Sequence, residues 1–498
     1  DLSQIAGLGR KLLAFLRPLA DCFGRQEPRD LLRTYVQGQL SSLERKSVEP
    51  IALQAGIPPR TLQRFLESIQ WDEELLRDRC QQLVAVDHAD PQAIGVIDES
   101  GMPKSGKETV GVERQWCGRT GKVDNCVVVV HVGYVAPNFH CLLDSELYLP
   151  RSWADDPQRR KKAYVPEDVQ FRTKPQIALD QIDRALAHGI QVAAWNFDEL
   201  YGRDSKFLDG LDEREQAFVG EVPANFHGWL RAPRVLSQPP KNASRRAHRR
   251  KYPRRTRRPR ACEVQNLVKY SDVFRKQPWK RFYIKDSQKG PVVWEVKCAR
   301  FYRKQSNDLP SEACCLIVAR NVLNPKEVKY FLANVVPLEL VSREEEAEPG
   351  VKLTWLLWVA FRRWPIEQCF RQAKNELGLD HFEVRGWRCV HRHLYLTQLS
   401  LLFCARVRQE YAATTSTQDE SHLTVEQVRD AMDAWLQVAD LPPALRDARW
   451  KKELTKMHYH QRRNKQAEKS HTKTRLQRLD TLGIQVDQLE CCIPTDTG

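Results

Sequence analysis

The sequence has no apolar run approaching the roughly 20 residues that a membrane-crossing helix needs. Its densest apolar stretches, Cys126–Val132 and Leu394–Ala405, are far shorter. No membrane partner is therefore expected. With no N-terminal secretion signal, a reducing cytoplasm is the expected compartment. The 14 cysteines include no CxxC pair and no Cys/His finger spacing, which removes a zinc-finger reading. Cys314-Cys315 and Cys491-Cys492 are sequence neighbours, an arrangement that shares a metal poorly and rarely forms a disulfide. Acidic residues are also missing where they matter most. Lys241–Arg260 holds 11 Lys and Arg and no acid, leaving only +4 of the net +15 for the rest of the chain. A run this dense repels itself and does not form a core. It suits a polyanion such as DNA, since each neutralised phosphate releases counterions whatever the base sequence. Arg245, Arg246, Arg249, Arg250, Arg254 and Arg255 are the candidate contacts; the alternative is a loop that only aids solubility. Lys451–Arg478 is a second basic stretch, expected as a helical or frayed tail with a weaker role of the same kind.

What is present is a set of acids in telling places. Phe361–Trp387 reads FRRWPIEQCFRQAKNELGLDHFEVRGW. Pro365 suits a first helical turn and Gly378 a helix end. Ile366, Phe370, Ala373 and Leu377 form the buried stripe between them. Glu367, Arg371 and Lys374 fall on the neighbouring stripe, so a carboxylate stands beside two cations. Taken alone, this is also how a solvated helix start looks. Upstream, Ala93–Ile97 reads as a buried strand ending at Asp98, and the apolar run of GIQVAAWNFDELYGRD ends at Asp198. A carboxylate at the end of a buried strand is costly unless paired. Strand-end aspartates also serve as turn or cap formers. Two of them with a helical glutamate can hold a pair of divalent cations that polarise a phosphodiester. Glu99 and Glu199 adjoin the two aspartates but point to opposite faces as consecutive strand residues.

Residues 47–69 read as helix, tight turn, helix. Ala55-Gly56-Ile57 makes the turn, and Pro58-Pro59 starts a second helix with the apolar stripe Leu62, Phe65, Leu66 and Ile69. Arg60, Gln63 and Arg64 then face outward where a helix-turn-helix places base-reading side chains. An ordinary helical hairpin is the alternative. His391-Arg392-His393 is no ligand pair, because residues two apart on a helix do not share a face; a DNA-backbone or structural role is expected.

The segments VIDESGMPKSGKETVGVERQWCGRTGKVDNCVVVVHVGYV, FDELYGRD and WPIEQCFRQAKNELGLDHFEVRGWRCVHRH resemble the DDE transposases of bacterial insertion sequences, closest to the insertion sequence 701 family of the RNase H-like superfamily. The resemblance covers most of residues 30–410. It implies a catalytic and metal-binding triad of Asp98, Asp198 and Glu367 with two Mg²⁺ (or Mn²⁺) ions. Asp98 would bridge both ions, Asp198 hold one and Glu367 the other. Arg363, Arg371 and Lys374 would hold the scissile backbone. The related insertion sequence 4 group carries a Tyr-Arg-Glu-Lys signature; Arg363, Glu367 and Lys374 fit its spacing, while its tyrosine position holds Ala360. The implied partners are double-stranded DNA, as transposon ends and target, and a second copy in a synaptic homodimer, in the bacterial nucleoid.

Asp198 and Glu367 are 169 positions apart, too far for an ordinary strand-to-helix connection. Strand-like segments rich in β-branched and aromatic residues fill the gap, from AFVGEVPANF through PVVWEVKCARFY to KYFLANVV. The resemblance extends to relatives that cut through a DNA hairpin and stack an insertion tryptophan on a flipped base. Trp294 is the candidate here, with Trp279 the second choice, and packing the alternative for both. The expected fold is α/β: an RNase H-like mixed sheet with flanking helices, interrupted by a β-rich insertion, plus an N-terminal all-α helix-turn-helix domain. The expected segments are 1–85 for DNA binding, 86–220 and 346–440 for the catalytic core, 221–345 for the insertion and 441–498 for a basic tail. The rival functions are a domesticated DNA-binding regulator, an RNase H-like nuclease and a basic nucleoid protein.

Overall fold

In the computed structural model, which describes residues 2–239, 251–341, 350–414, 423–438 and 441–492, the first five helices form where the sequence alternates apolar stripes with caps. They are α1 (Leu2–Leu16), α2 (Gln26–Gln39), α3 (Val48–Gln54), α4 (Pro59–Glu67) and α5 (Glu73–Asp87). Asp72 caps α5 by accepting from the Leu75 amide at 2.8 Å, and Glu73 and Glu74 follow in its first turn. Two compact units result, Asp1–Val192 with Trp364–Asn464, and Ala193–Arg363 with Lys465–Gly498. The expected first catalytic segment runs to residue 220; the boundary between the units falls at 192/193, ahead of Asp198.

The first unit is built on a 28-residue helix, Trp387–Thr414, whose residues 389–405 are all buried. A helix apolar on most sides needs neighbours on most sides. Here α1 brings Phe15 to within 5.5 Å of Phe403 (ring centroids). The Tyr35 hydroxyl on α2 donates to His393 Nδ1 at 2.8 Å, and His393 Nε2 donates to the Gly378 carbonyl at 3.0 Å. Arg392 is fully buried and donates to the carbonyls of Phe65, Ile69 and Trp71 and to Glu73. His391, Arg392 and His393 are therefore internal ties between helices.

The same unit holds an antiparallel sheet of β1 (Ile94–Pro103), β2 (Glu113–Cys117), β3 (Lys122–Val135) and β4 (His140–Leu147), with β1 and β2 both paired to β3 and β4 beside it. Strand β3 is buried on both faces from Cys126 to Val135, as its unbroken apolar run requires. The helix Lys174–Ala187 follows, closed by a Thr173/Gln176 capping box. In the second unit, strands Lys280–Ser287, Gly290–Arg303, Cys314–Asn321 and Asn324–Ala333 form an antiparallel meander, extended by Val219–Glu221. The short strand Glu490–Cys491 lies parallel to Lys280–Ser287, so the end of the described chain belongs to this β-rich body. The fold is mixed α/β, as expected. All 14 cysteines are free thiols. Among the described residues no helix is long and apolar enough to cross a membrane.

Candidate active site

Asp98 lies in the middle of β1, 9 % exposed, opposite His131 of β3. Residues opposite one another in an antiparallel pair share a face, so Asp98, Ser100 and His131 project to one side. His131 Nε2 meets the Ser100 hydroxyl at 2.9 Å, and its Nδ1 meets the Ser145 hydroxyl of β4 at 2.7 Å. This chain of buried polar groups runs across three strands on the same face as the carboxylate. Burial holds the His131 imidazole neutral, pulling it down to about 3, and the Lys374 ammonium adds to that. Glu99 points away and is ion-paired to Lys174 at 2.8 Å.

The helix Trp364–Leu377 covers this face. It ends where expected, with Gly378 at φ +76°, a left-handed conformation that glycine adopts freely. Phe370 lies 4.7 Å from the His131 ring, and Ile366 packs where a side chain on Gly133 would stand, since a Cβ there would lie 2.1 Å from Ile366 Cδ1. The apolar stripe Ile366, Phe370, Ala373 and Leu377 is buried as expected. The polar stripe divides. Glu367 and Arg371 are exposed, but Lys374 turns inward, 9 % exposed, and donates to the Gly101 carbonyl on β1 at 3.1 Å. Burial, with Arg119 nearby, pulls its amine down to about 8. Its ammonium fastens the Glu367 helix to the Asp98 strand. The first unit therefore brings Asp98, Lys374 and the helix bearing Glu367 together.

In the second unit, strand Ala194–Phe197 delivers Asp198 to the start of a helical turn, Glu199–Gly202. Its Oδ1 accepts from the Leu200 amide at 2.9 Å, and its other oxygen lies 3.5 Å from Arg363. Asp198 is thus both a cap and an ion-pair partner. Among the described residues no cluster of three or more His, Cys, Asp or Glu is arranged to hold a metal ion. Asp98, Asp198 and Glu367 each carry hard carboxylate oxygens of the kind magnesium takes.

The other expected residues fare differently. Helices α3 and α4 enclose a turn at Gly56 (φ +66°), and Leu62, Phe65 and Leu66 are fully buried. On the outer side, Arg60 and Gln63 both bond Glu67, at 3.2 and 3.0 Å, and Arg64 is exposed. Arg245, Arg246, Arg249 and Arg250 lie outside the described residues. Arg254 and Arg255 form a short strand; Arg255 bonds Asp308 and lies over the Trp229 ring at 5.4 Å. Trp294 is 4 % exposed and packed 4.9 Å from Phe361. Trp279 is flanked by Lys297 and Arg320 at 5.0 and 4.2 Å. The Ser100–His131–Ser145 chain was not foreseen. Its one sequence signal is His131, a single imidazole inside the apolar run VVVVHVGYV.

Two comparisons bear on this arrangement. A family model described as DDE superfamily endonuclease matches residues 18–291, more than half of the chain; the matched segment contains Asp98 and Asp198 and ends before Glu367. A probable transposase for insertion sequence element IS701 from Microchaete diplosiphon is 31 % identical over 192 residues, which is 38 % of this chain and 48 % of that protein. The chain thus spans about half the length of that relative. Endonucleases of this superfamily use divalent metal ions. With carboxylates at the centre of a buried strand, at a strand end and on a covering helix, and with the family match over more than half its length, the chain belongs to the DDE superfamily of endonucleases.

Proposed function

We propose that this chain is a transposase of the insertion sequence 701 kind. It binds the terminal inverted repeats of its element as duplex DNA, hydrolyses a phosphodiester at each end and joins the freed 3′-hydroxyl to target DNA. The observation that carries this reading is the buried Asp98 beneath the helix bearing Glu367, in a chain of the endonuclease family. Asp98, Asp198 and Glu367 are the ligands for two Mg²⁺ (or Mn²⁺) ions, which when bound polarise the phosphodiester and acidify water. Lys374 keeps the Glu367 helix in register with β1, and the Ser100–His131–Ser145 chain fixes the sheet beside Asp98. Arg363 and Arg371 neutralise the scissile backbone. Helix α4 reads end sequence through Arg60, Gln63 and Arg64, and the basic run 241–260 grips phosphates. Residues 1–85 serve end recognition, 86–220 and 346–440 cutting, 221–345 the insertion and 441–498 the tail. Two copies pair the two ends, within the nucleoid.

The test is excision in cells of a marker flanked by the element's own ends, comparing the native chain with Asp98→Asn and Glu367→Gln. End binding is measured in parallel. Both variants should bind normally and excise at least about a thousandfold less. Undiminished excision in either variant removes the catalytic assignment. Binding without excision by the native chain makes the protein a DNA-binding regulator instead.

A further inference from the structure

We propose that the β2–β3 hairpin is a DNA-contacting arm in which Trp116 lies against a base or sugar of the strand flanking the cut. The inference rests on the reading of this chain as an enzyme that acts on DNA. Three independent features of the hairpin support it.

The first is its two-sided character. On one face Cys117, Cys126 and Val128 form a buried cluster against Tyr148, and Cys117 backs directly onto Gly101, where a Cβ would come within 2.8 Å of its sulfur. The hairpin is therefore a fixed projection of the sheet. On the other face Trp116 is 57 % exposed and its cross-strand partner Val123 is 53 % exposed. Half-buried strands ordinarily place Trp and Val against protein; here the indole is held out to solvent by a rigid support.

The second is register. Trp116 pairs with Val123 and Arg114 with Asn125, and Asp98 pairs with His131 on the same strand β3. Residues 123, 125 and 131 are separated by even numbers, and neither ladder shifts register between them. Side chains alternate with a period of two. Trp116 and Arg114 therefore leave the sheet on the same side as Asp98, at the end of the hairpin where that face is no longer covered.

The third is charge. From Lys104 to Lys122 the chain carries five cations and two acids; Lys104 is turned in on the Asp380 and Phe382 carbonyls, Glu108 is ion-paired to Lys162, and Lys107, Arg114 and Lys122 are exposed. Arg119 and Lys122 stand at the hairpin tip, Arg119 paired to Asp380. A flat aromatic flanked by cations is the combination that holds nucleic acid without demanding a sequence, through stacking and phosphate neutralisation together.

The experiment uses the full chain carrying Asp98→Asn, so that binding is read without cutting. Affinity for a random-sequence duplex and for an element-end duplex is measured by anisotropy across a salt series. Trp116→Ala should weaken both by about tenfold, and Trp116→Phe should stay within about threefold of the parent. Arg114→Gln and Lys122→Gln should each lower the slope of log affinity against log salt by about one. Duplexes bearing 5-iododeoxyuridine should photo-cross-link to the hairpin, with the adduct mapped to Trp116. Native affinity in Trp116→Ala, together with no cross-link there, overturns the proposal. So does a loss of oligomeric mass in Trp116→Ala with DNA affinity intact, which makes the hairpin an interface between copies. Cutting by the native chain, assayed alongside, reports separately on the transposase reading. No cutting with Trp116-dependent binding sinks that reading alone, and cutting with Trp116-independent binding sinks this one alone.

Discussion

Trp116 and Trp294 both stand in antiparallel strands of β-hairpins, each opposite a partner residue, yet their surroundings are opposite. Trp294 pairs with Phe282 and Asn321, and its ring is closed over by Phe361, a residue nearly seventy positions along the chain. Trp116 pairs with Val123, and its outer face stays exposed. Strand position is the same in kind; what differs is whether another element returns to cover the face. The covered indole contributes to stability and the uncovered one is available to a partner. A functional reading of an aromatic in a strand thus depends on the third element.

The largest effect that would break this contrast lies at Trp294. Trp294→Ala should cost about 3–5 kcal/mol, from lost burial and a cavity beside Phe361. The measurement is the denaturant midpoint of the full chain, and a loss below about 1 kcal/mol would mean that the Trp294 ring is not part of the core. A buried polar ring sharpens the comparison next. His393 is held between Tyr35 and Gly378, and burial pulls it down from 6.5 to about 3. The unfolded chain takes up a proton below about 6.5 while the folded one does not, so stability falls as pH drops from there towards 3. The contribution reaches about 1.4 kcal/mol per pH unit. His393→Gln, less stable at neutral pH, should lose less between about pH 7 and 5 than the native chain; parallel unfolding profiles would show that His393 does not titrate in this way. The smallest effect belongs to Trp116, where Trp116→Ala should change stability by no more than about 0.5 kcal/mol while DNA affinity falls tenfold. A large loss of stability there would erase the difference between the two tryptophans.

Much of the architecture was legible in advance. The helix Trp364–Leu377 starts at Pro365 and stops at Gly378 as their backbone preferences dictate, and its apolar stripe is buried where the period places it. The insertion strands follow the β-branched and aromatic runs of the sequence. The turn and buried stripe of α3 and α4 were equally clear. The candidate site was legible in part. Asp98 and Asp198 stood out because each follows an apolar run, an expensive place for a carboxylate, although β1 runs on past Asp98 to Pro103. The division of Glu367 and Arg371 from Lys374 was not legible, since the three fall on one stripe of the helix and only β1 decides which of them is covered. The Ser100–His131–Ser145 chain needs three strands in register, and local sequence carries no record of that pairing.

The sequence by itself determined which segments become helices and strands, where they stop, and which residues carry the acids, the cations and the rings. These follow from backbone preference and from the period of apolar residues, which act over a few neighbours. The tertiary structure alone decided that Arg392 is consumed by carbonyls while Arg64 faces solvent, that Lys374 turns inward while Arg371 does not, and that Trp294 is covered while Trp116 is bare. Burial is set by elements that meet from far apart in the chain, so the same side chain becomes a structural tie or a contact surface according to what folds back over it.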